Sequence, residues 1–221
     1  MQDVTLYGYW RSSASWRARI ALHLVKLPFA YEAVHLVEDG GRQYSDAHTA
    51  RNPMQQVPVL AWSDDDGTHR LTQSLAIIEL LNDRFGGLLP EHPIARARAR
   101  QLAEMVNSGI QPFQNLWLMN EVSSRGADGR ALGKHAIERG LTALEREVVL
   151  GDGTAGAAGA FLVGDRPSSA DACLVPQLYN ARRFGIDLAP FPRLREAEAA
   201  AQAHPAFRAA HPDAQPDAVS S

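Results

Sequence analysis

The fold of this chain is decided near its amino terminus by the stretch Arg11-Ser12-Ser13-Ala14-Ser15-Trp16-Arg17-Ala18-Arg19-Ile20-Ala21-Leu22. The strand-forming residues Val4–Tyr7 precede it, and large apolar side chains then recur every four residues from Trp16 to Leu24. Serine is a good helix cap, so this order predicts a strand, a turn and a capped helix. After Pro28, residues 31–36 mix aromatic and β-branched side chains and predict a second strand. One β-α-β unit is therefore expected near the amino terminus.

A hairpin is predicted next, because residues 57–71 hold two apolar segments on either side of the turn-rich residues 63–68. Ser74 is then placed to cap a helix over residues 75–85. Glycine and proline residues between 86 and 93 are expected to end that helix and form a linker.

The second half of the chain has helical spacing throughout. An apolar stripe over residues 102–117 predicts a helix that Pro112 should kink. Another helix is predicted over residues 133–150. Ser168 and Asp171 have the spacing of a capping box and predict the start of a further helix.

Two domains are therefore predicted, an α/β domain over residues 1–87 and an all-helical domain over residues 94–221. The glycine- and alanine-rich residues 151–160 are expected to form a flexible loop, since no Lys-Ser or Lys-Thr follows to make a phosphate loop. The end of the chain from His211 onward is polar and rich in proline, so we expect much of it to be a loose tail.

Composition narrows the class of protein. The chain has 221 residues, of which 45% are hydrophobic and 21% charged, as expected for a globular protein. Its net charge of −3 lacks the basic excess that nucleic-acid binding requires. One cysteine and dispersed histidines predict no disulfide and no metal site. Without a basic leader or a long apolar run, we expect a cytoplasmic protein with no membrane partner.

The serine turn stands where thioredoxin-like domains carry a Cys-x-x-Cys pair, and here the spacing is Ser12-x-x-Ser15. Serine is not a redox group. Its hydroxyl and the free N–H groups at a helix start can nevertheless stabilise a thiolate that another molecule brings, and glutathione is the natural carrier. The alternative is that these serines only cap the helix.

Several motifs together resemble the zeta class of the glutathione transferase family. They occur in both predicted domains and span nearly the whole chain. They are the serine stretch 11–22, Asn52-Pro53-Met54-Gln55-Gln56-Val57-Pro58, Gln73-Ser74-Leu75-Ala76-Ile77-Ile78-Glu79, Gly109-Ile110-Gln111-Pro112-Phe113-Gln114-Asn115-Leu116, Leu174-Val175-Pro176-Gln177 and Gln215-Pro216-Asp217. The resemblance implies a thioredoxin-like α/β amino-terminal domain followed by an all-α carboxy-terminal domain, with glutathione as cofactor and a homodimeric assembly.

The resemblance also implies which residues of the first domain would hold the sulfur and the peptide of glutathione. Ser12 is expected to orient the thiolate, with Ser13 as the second choice. A cis bond at Val57-Pro58 would leave the Val57 backbone free to pair with the peptide, and Gln56 could add a hydrogen bond. The alternative is a trans bond that merely ends a loop.

Four further residues could bind the remainder of glutathione. Gln73 and Ser74, at a predicted helix start, suit the γ-glutamyl carboxylate, although they could simply form a helix cap. Gln111 and Asn115 are four apart, so they would share one helical face and could reach glutathione from the second domain. Their alternative is a position facing solvent.

Arginines matter because the substrates of the resembled class carry two carboxylates, which guanidinium groups bind well. Arg11 adjoins the serine turn, and Arg183 matches the arginine to which substrate binding is attributed. Arg182 is expected to be solvated, and Arg17 and Arg19 to be structural.

The chain departs from one form of the motif, because Ala14 stands where a cysteine can follow the two serines. Cys173, in an apolar helical context, is expected to be a buried and inert thiol. The chemistry must then depend on the sulfur of glutathione.

The resemblance implies glutathione-dependent cis-trans isomerisation of a maleyl diacid, with maleylacetoacetate as the first choice and maleylpyruvate as the second. The thiolate would add to the double bond, the resulting single bond would rotate, and elimination would give the trans product. A glutathione transferase or dehalogenase acting on small α-halo acids is an alternative, as is a binding relative without catalysis. Consumption of glutathione during turnover would indicate the transferase.

Overall fold

The computed structural model describes residues 1–219 and divides into two compact units. Met1–Leu88 and the described residues from His204 onward form the first unit, and Leu89–Ala203 form the second. The boundary lies in the predicted linker. The structure differs from the predicted helical domain 94–221 at its end, because the residues from His204 belong to the first unit. Ser220 and Ser221, the last positions of that predicted domain, lie outside the described residues.

The first unit is built on a four-stranded sheet in the order β2-β1-β3-β4. Strand β1 pairs with β2 in parallel and with β3 antiparallel, and β3 and β4 form the predicted hairpin. The strands are β1 (Gln2–Gly8), β2 (Ala30–Ala33), β3 (Val59–Asp64) and β4 (Gly67–Thr72). Together with the helices this confirms the predicted thioredoxin-like α/β domain.

Three helices complete the amino-terminal part of this unit: α1 (Ser13–Leu24), α2 (Asp46–Arg51) and α3 (Ser74–Phe85). Helices α1 and α3 pack against each other. Their apolar faces and the central strands supply fully buried side chains, including Ile20 and Leu22 of α1, Ile77 and Leu81 of α3 and Leu60 of β3. The apolar spacing of each helix thus becomes one core.

The second unit is all-helical, as predicted. It contains α4 (Pro93–Asn107), α5 (Leu116–Ser124), α6 (Gly129–Leu150), α7 (Ser169–Arg183) and α8 (Pro192–Ala203). Helix α4 packs on α7 and α6, and fully buried residues such as Leu102, Leu141 and Leu174 fill the centre. None of the helices within residues 1–219 is long and apolar enough to cross a membrane.

Helix α7 begins with the predicted capping box. Ser168 is the N-cap residue, its side chain accepts the Ala170 N–H, and the Asp171 carboxylate accepts the Ser168 N–H at 2.8 Å. The Asp171 carboxylate also accepts the Leu162 N–H at 2.9 Å, which ties the preceding loop to the helix. The local pattern therefore forms as predicted and gains a longer-range contact.

The helix predicted to run through Pro112 does not form. Helix α4 ends at Asn107, residues Gln111–Gln114 form a separate 3-10 turn with Pro112 in its first positions, and α5 starts at Leu116. Proline lacks an N–H and fits the start of a helical turn better than the interior. The expected kink is therefore a break.

The described residues 205–219, called the carboxy-terminal segment below, pack on the rest of the first unit, in contrast to the expected loose tail. Helix α9 (Pro205–Ala209) packs on α1, and residues Pro212–Ala214 form a further 3-10 turn. The His211 ring lies 5.2 Å from the Trp16 ring. A polar, proline-rich segment buries too little apolar surface by itself to offset the conformational entropy lost on ordering. Packing against helix α1 supplies the missing stabilisation.

Candidate active site

Three of the predicted motifs meet at one end of the sheet. The register aligns Tyr7 of β1 with Val59 of β3, and Val59 with Thr72 of β4. The serine turn follows the end of β1, Pro58 directly precedes β3, and Gln73 directly follows β4. The three segments therefore adjoin paired residues at the same edge of the sheet. Strand pairing thus brings together residues about 60 positions apart in the chain.

Ser12 caps helix α1, as predicted. Its Oγ accepts the Ser15 N–H at 3.2 Å, and its carbonyl accepts the Trp16 N–H at 2.8 Å. A hydroxyl that accepts one hydrogen bond still has its own proton to donate. Ser12 and Ser13 are each half-buried.

Ser15 has a different environment, since its side chain is fully buried and its Oγ accepts the Tyr9 N–H at 3.3 Å. The serines of the turn therefore divide into a buried structural one and two accessible ones. Only the accessible serines can contact a ligand.

The Val57-Pro58 bond is cis, which decides between the two alternatives left by the sequence. Within residues 1–219 the N–H and C=O of Val57 form no backbone hydrogen bond. The preceding carbonyl, that of Gln56, lies 2.9 Å from His48 Nε2 and accepts the Asn52 amide at 2.8 Å. His48 and Asn52 thus fix the loop through the Gln56 carbonyl. The Val57 peptide group stays free to form hydrogen bonds with a ligand.

Helix α3 starts differently from the prediction. Ser74 is its first helical residue and not its cap; Gln73 is the N-cap residue, and its side chain forms no capping hydrogen bond. Gln73 has φ 70°, a value that costs a non-glycine residue energy and that concentrates at functional sites. The Ser74 Oγ accepts a hydrogen bond at 3.4 Å from the fully buried Arg17. The α3 start therefore presents N–H groups without a side-chain cap, which suits a carboxylate.

Arg11 directly precedes the serine turn, and its guanidinium carbon lies 5.0 Å from the centre of the Trp10 ring. Arg17 and Arg19 are fully buried, in keeping with the structural roles expected for them.

Gln111 and Asn115 do not share the face of a continuous helix, because Gln111 begins the 3-10 turn after α4 and Asn115 directly follows that turn. They are nevertheless brought together, since the Gln111 side-chain amide donates to Asn115 Oδ1 at 2.8 Å. The two amides thus form a bonded pair.

A chain of amide side chains that sequence reasoning did not single out starts at Arg183. Arg183 donates to Asn180 Oδ1 at 3.0 Å, the Asn180 amide donates to Gln114 Oε1, and the Gln114 amide donates to Gln177 Oε1 at 2.9 Å. Gln114 and Gln177 are buried. Both lie inside motifs quoted above, but their pairing spans 63 residues and has no local signal.

Arg182 is exposed, as expected, with 48% of its side chain accessible, but it also forms an ion pair that the sequence did not predict. Arg182 NH1 donates to Glu198 Oε1 at 2.7 Å, and the Glu198 side chain is only 5% exposed. These hydrogen bonds and the Glu198 charge raise the pKa of Arg182 above its ordinary value. Arg182 therefore neutralises a buried carboxylate on α8.

We expect Arg182→Ala to lower the free energy of unfolding by about 1–3 kcal/mol, because Glu198 would be left buried without its charged partner. Urea unfolding followed by circular dichroism measures this. Adding Glu198→Gln to Arg182→Ala should recover part of the loss, whereas equal stability of Arg182→Ala and the wild type would contradict the pairing.

Cys173 is fully buried in α7 and forms no disulfide, as expected for an inert thiol.

Comparisons with known proteins agree with this geometry. The family model described as glutathione S-transferase, N-terminal domain, matches residues 11–84, which include the serine turn, Val57-Pro58 and the start of α3. The maleylacetoacetate isomerase of Rhizobium meliloti (strain 1021) is 46% identical over 217 residues, covering 96% of this chain and 97% of that protein.

Solved structures agree as well. The maleylacetoacetate isomerase of Anaeromyxobacter dehalogenans 2CP-1, with glutathione bound in its active site, is 48% identical with a TM-score of 0.88, covering 99% of this chain and 100% of that one. A zeta-class maleylpyruvate isomerase is 39% identical with a TM-score of 0.88, covering 97% and 100%. The chain therefore belongs to the maleylacetoacetate isomerase family of zeta-class glutathione transferases.

Proposed function

We propose that this protein is a glutathione-dependent isomerase that converts maleylacetoacetate to fumarylacetoacetate, a cis-to-trans change in a maleyl diacid. The observation that carries the proposal is the meeting of the Ser12 turn, the unpaired Val57 peptide group and the uncapped start of α3 at one end of the sheet. A second structure of the Anaeromyxobacter isomerase holds dicarboxyethyl glutathione and citrate in the active site, which supports a diacid substrate.

The donor groups at this end of the sheet fit glutathione part by part. The Ser12 hydroxyl and the N-terminus of α1 suit a thiolate, with Ser13 as the second candidate. The Val57 N–H and C=O suit the cysteinyl peptide group, and Gln56 lies beside them. The start of α3 with Gln73 and Ser74 suits the γ-glutamyl carboxylate. Each of these assignments is a proposal.

Glutathione supplies a thiolate that adds to the conjugated cis double bond and leaves once the bond has rotated. The protein must favour the ionised sulfur. A thiol has a pKa of about 8.5, and lowering it by about two units requires about 2.7 kcal/mol of preferential stabilisation. A hydroxyl hydrogen bond and a helix N-terminus together supply an effect of that size.

Gln111 and Asn115 remain proposed ligands of glutathione, acting as a bonded pair. Their bond fixes which groups are left over, since the amide of Gln111 is partly used and the amide of Asn115 is free to donate.

Arg11 and Arg183 are proposed to bind the carboxylates of the substrate. We expect Arg183→Ala to lower kcat/KM for the diacid about ten- to a hundredfold, because it removes a charge-assisted contact of about 1.5–3 kcal/mol. The KM for glutathione should stay nearly unchanged.

Arg182→Ala is unsuitable as the control for this experiment, because it disturbs the buried Glu198. Arg193→Ala is better matched, since the ion-pair partners of Arg193, Asp152 and Glu196, are both exposed. Equal losses in the two variants, or a collapse of glutathione affinity in Arg183→Ala, would place the carboxylate pocket elsewhere.

The substrate is tested by following maleylacetoacetate and maleylpyruvate separately by absorbance with catalytic glutathione. Turnover of maleylacetoacetate without loss of glutathione is expected. Faster turnover of maleylpyruvate would assign the second substrate, and a fall in glutathione would indicate a transferase acting on small electrophiles.

We further propose a homodimer in the cytoplasm, working in aromatic amino-acid breakdown. Light scattering at micromolar concentration should give twice the 24.1 kDa mass of one chain. A particle of 24.1 kDa would refute the dimer.

A further inference from the structure

The carboxy-terminal segment reaches the residues that precede the serine turn. Ala218 packs on a buried apolar cluster made of Tyr9, Trp10, Val34 and Val57. This cluster connects the serine turn to the Val57 loop. Ala218, more than 160 positions away in the chain, thus packs on a cluster that draws residues from both regions.

A carboxylate of the same segment holds the backbone of Trp10. Asp217 Oδ2 accepts the Trp10 N–H at 3.0 Å and the Tyr31 hydroxyl at 3.3 Å. Burial is the largest cause that raises the pKa of Tyr31 above its ordinary value, so Tyr31 stays a neutral donor to this carboxylate at physiological pH.

Arg19 holds the same two residues by their carbonyl groups. Its guanidinium donates to Trp10 O at 2.7 Å, to Tyr9 O at 3.3 Å and, through Nε, to Ala210 O at 3.1 Å. Arg19 is fully buried, and desolvation lowers its pKa to about 10, which still leaves it charged at neutral pH. The nearby Asp217 carboxylate favours that charge. Cation and carboxylate therefore hold opposite sides of the Tyr9-Trp10 backbone.

This clamp is joined to Ser12 by one further hydrogen bond. The Ser12 N–H donates to Tyr9 O at 3.0 Å, so the carbonyl that Arg19 holds also sets the position of the capping residue. A shift of the Tyr9-Trp10 backbone would move the Ser12 hydroxyl. Catalytic contacts are sensitive to displacements of this kind, since a misplacement of about 1 Å can cost about a hundredfold in rate.

We propose that Asp217 is a positioning residue for the reaction, and that the carboxy-terminal segment clamps the serine turn so that Ser12 can hold the glutathione thiolate. This inference rests on the proposed function, because it assumes that Ser12 contacts the sulfur. It assigns a purpose to the motif Gln215-Pro216-Asp217, which the proposed ligand contacts leave unexplained.

The test compares Asp217→Ala with Asp213→Ala in the full chain. Asp213 belongs to the same segment, but its carboxylate is exposed and pairs only with His211 among the described residues, so it is a matched control. The readout is the pKa of the bound glutathione thiol, from thiolate absorbance against pH, together with kcat and the KM for glutathione.

In Asp217→Ala we expect the thiol pKa to rise by about one unit, from about 6.5 to about 7.5, and kcat at pH 7 to fall about threefold, since the thiolate fraction at that pH falls from about three quarters to about one quarter. The KM for glutathione should change less than twofold, because the Asp217 carboxylate bonds to Trp10 and Tyr31 and not to the Val57 peptide group or the start of α3. Asp217→Asn keeps an oxygen that can accept the Trp10 N–H, so it should lie between Asp217→Ala and the wild type. Asp213→Ala should match the wild type.

An unchanged thiol pKa in Asp217→Ala, with or without loss of stability, would overturn the inference and leave Asp217 a purely structural residue. Asp217→Asn provides the same decision if Asp217→Ala does not fold. The thiol pKa of glutathione bound to the wild type distinguishes failure of this inference from failure of the proposed function. A bound thiol of ordinary pKa in the wild type would reject the proposed function itself, whereas a lowered pKa that both Asp217 variants retain would reject only the clamp.

Discussion

Replacing Ser12 by alanine is expected to raise the pKa of bound glutathione by about one to two units, from about 6.5, and to lower turnover at pH 7 about three- to twenty-five-fold through the smaller thiolate fraction. The reason is that the Ser12 hydroxyl accepts the Ser15 N–H and keeps its own proton for the thiolate. Titrating the thiolate absorbance of the complex measures the pKa directly.

Other substitutions separate this effect from loss of the helix cap. Alanine removes both the hydroxyl and the cap, which lowers the free energy of unfolding by about 1 kcal/mol. Glycine removes the hydroxyl as well, but it is tolerated at the N-cap and lowers the free energy of unfolding by only a few tenths of a kcal/mol, roughly. Ser12→Gly should therefore retain most of the stability and show the same raised pKa, and Ser12→Thr should restore a low pKa. A lowered thiol pKa in Ser12→Gly, equal to that of the wild type, would remove Ser12 from the mechanism.

Ser15→Ala is a useful comparison because the buried Ser15 hydroxyl accepts the Tyr9 N–H and has no access to a ligand. We expect this variant to lose stability and to shift the thiol pKa much less than Ser12→Ala does. A larger shift in Ser15→Ala would point to the geometry of the turn, and not to the Ser12 hydroxyl, as the source of the effect.

Asp171→Ala is expected to cause the largest loss of stability, about 3–5 kcal/mol, because it leaves three buried donors without an acceptor. These donors are the Leu162 N–H, the Ser168 N–H and the Ser168 hydroxyl, at 2.9, 2.8 and 3.0 Å. Urea unfolding measures the loss. Ser168→Ala removes only the cap and should cost about 1 kcal/mol; equal losses in the two variants would contradict the central role of the carboxylate.

Asp171 also predicts a pH dependence. Burial raises its pKa to about 6, because desolvation outweighs the hydrogen bonds that the carboxylate accepts. Since this folded-state pKa lies above the unfolded value, the folded protein binds the additional proton. The free energy of unfolding therefore falls as the pH rises from about 4 through about 6, because Asp171 must ionise in its buried site, while the hydrogen bonds to its oxygens remain. The free energy of unfolding of the wild type minus that of Asp171→Asn should fall over this interval, and a flat difference would contradict the raised pKa.

Much of the fold and of the site could be predicted from the sequence because the information is local. The cap at Ser12 and the capping box of Ser168 with Asp171 depend on residues three positions apart, and both form as predicted. The motif around Val57-Pro58 likewise predicted a loop that leaves a peptide group free. Within such short segments, hydrogen bonds and allowed backbone angles leave few alternatives.

The tertiary structure decided the features that depend on distant partners. Ser74 looked like a helix cap, yet the packing of α1 against α3 gives its hydroxyl to Arg17 and places Gln73 at the cap position. Arg182 looked solvated, but α8 brings Glu198 to it across 16 residues. Asp217 looked like part of a loose tail, and it binds Trp10 from 207 positions away. A polar side chain has the same sequence signal whether water or a buried group satisfies it, so only the folded chain determines which of the two it meets.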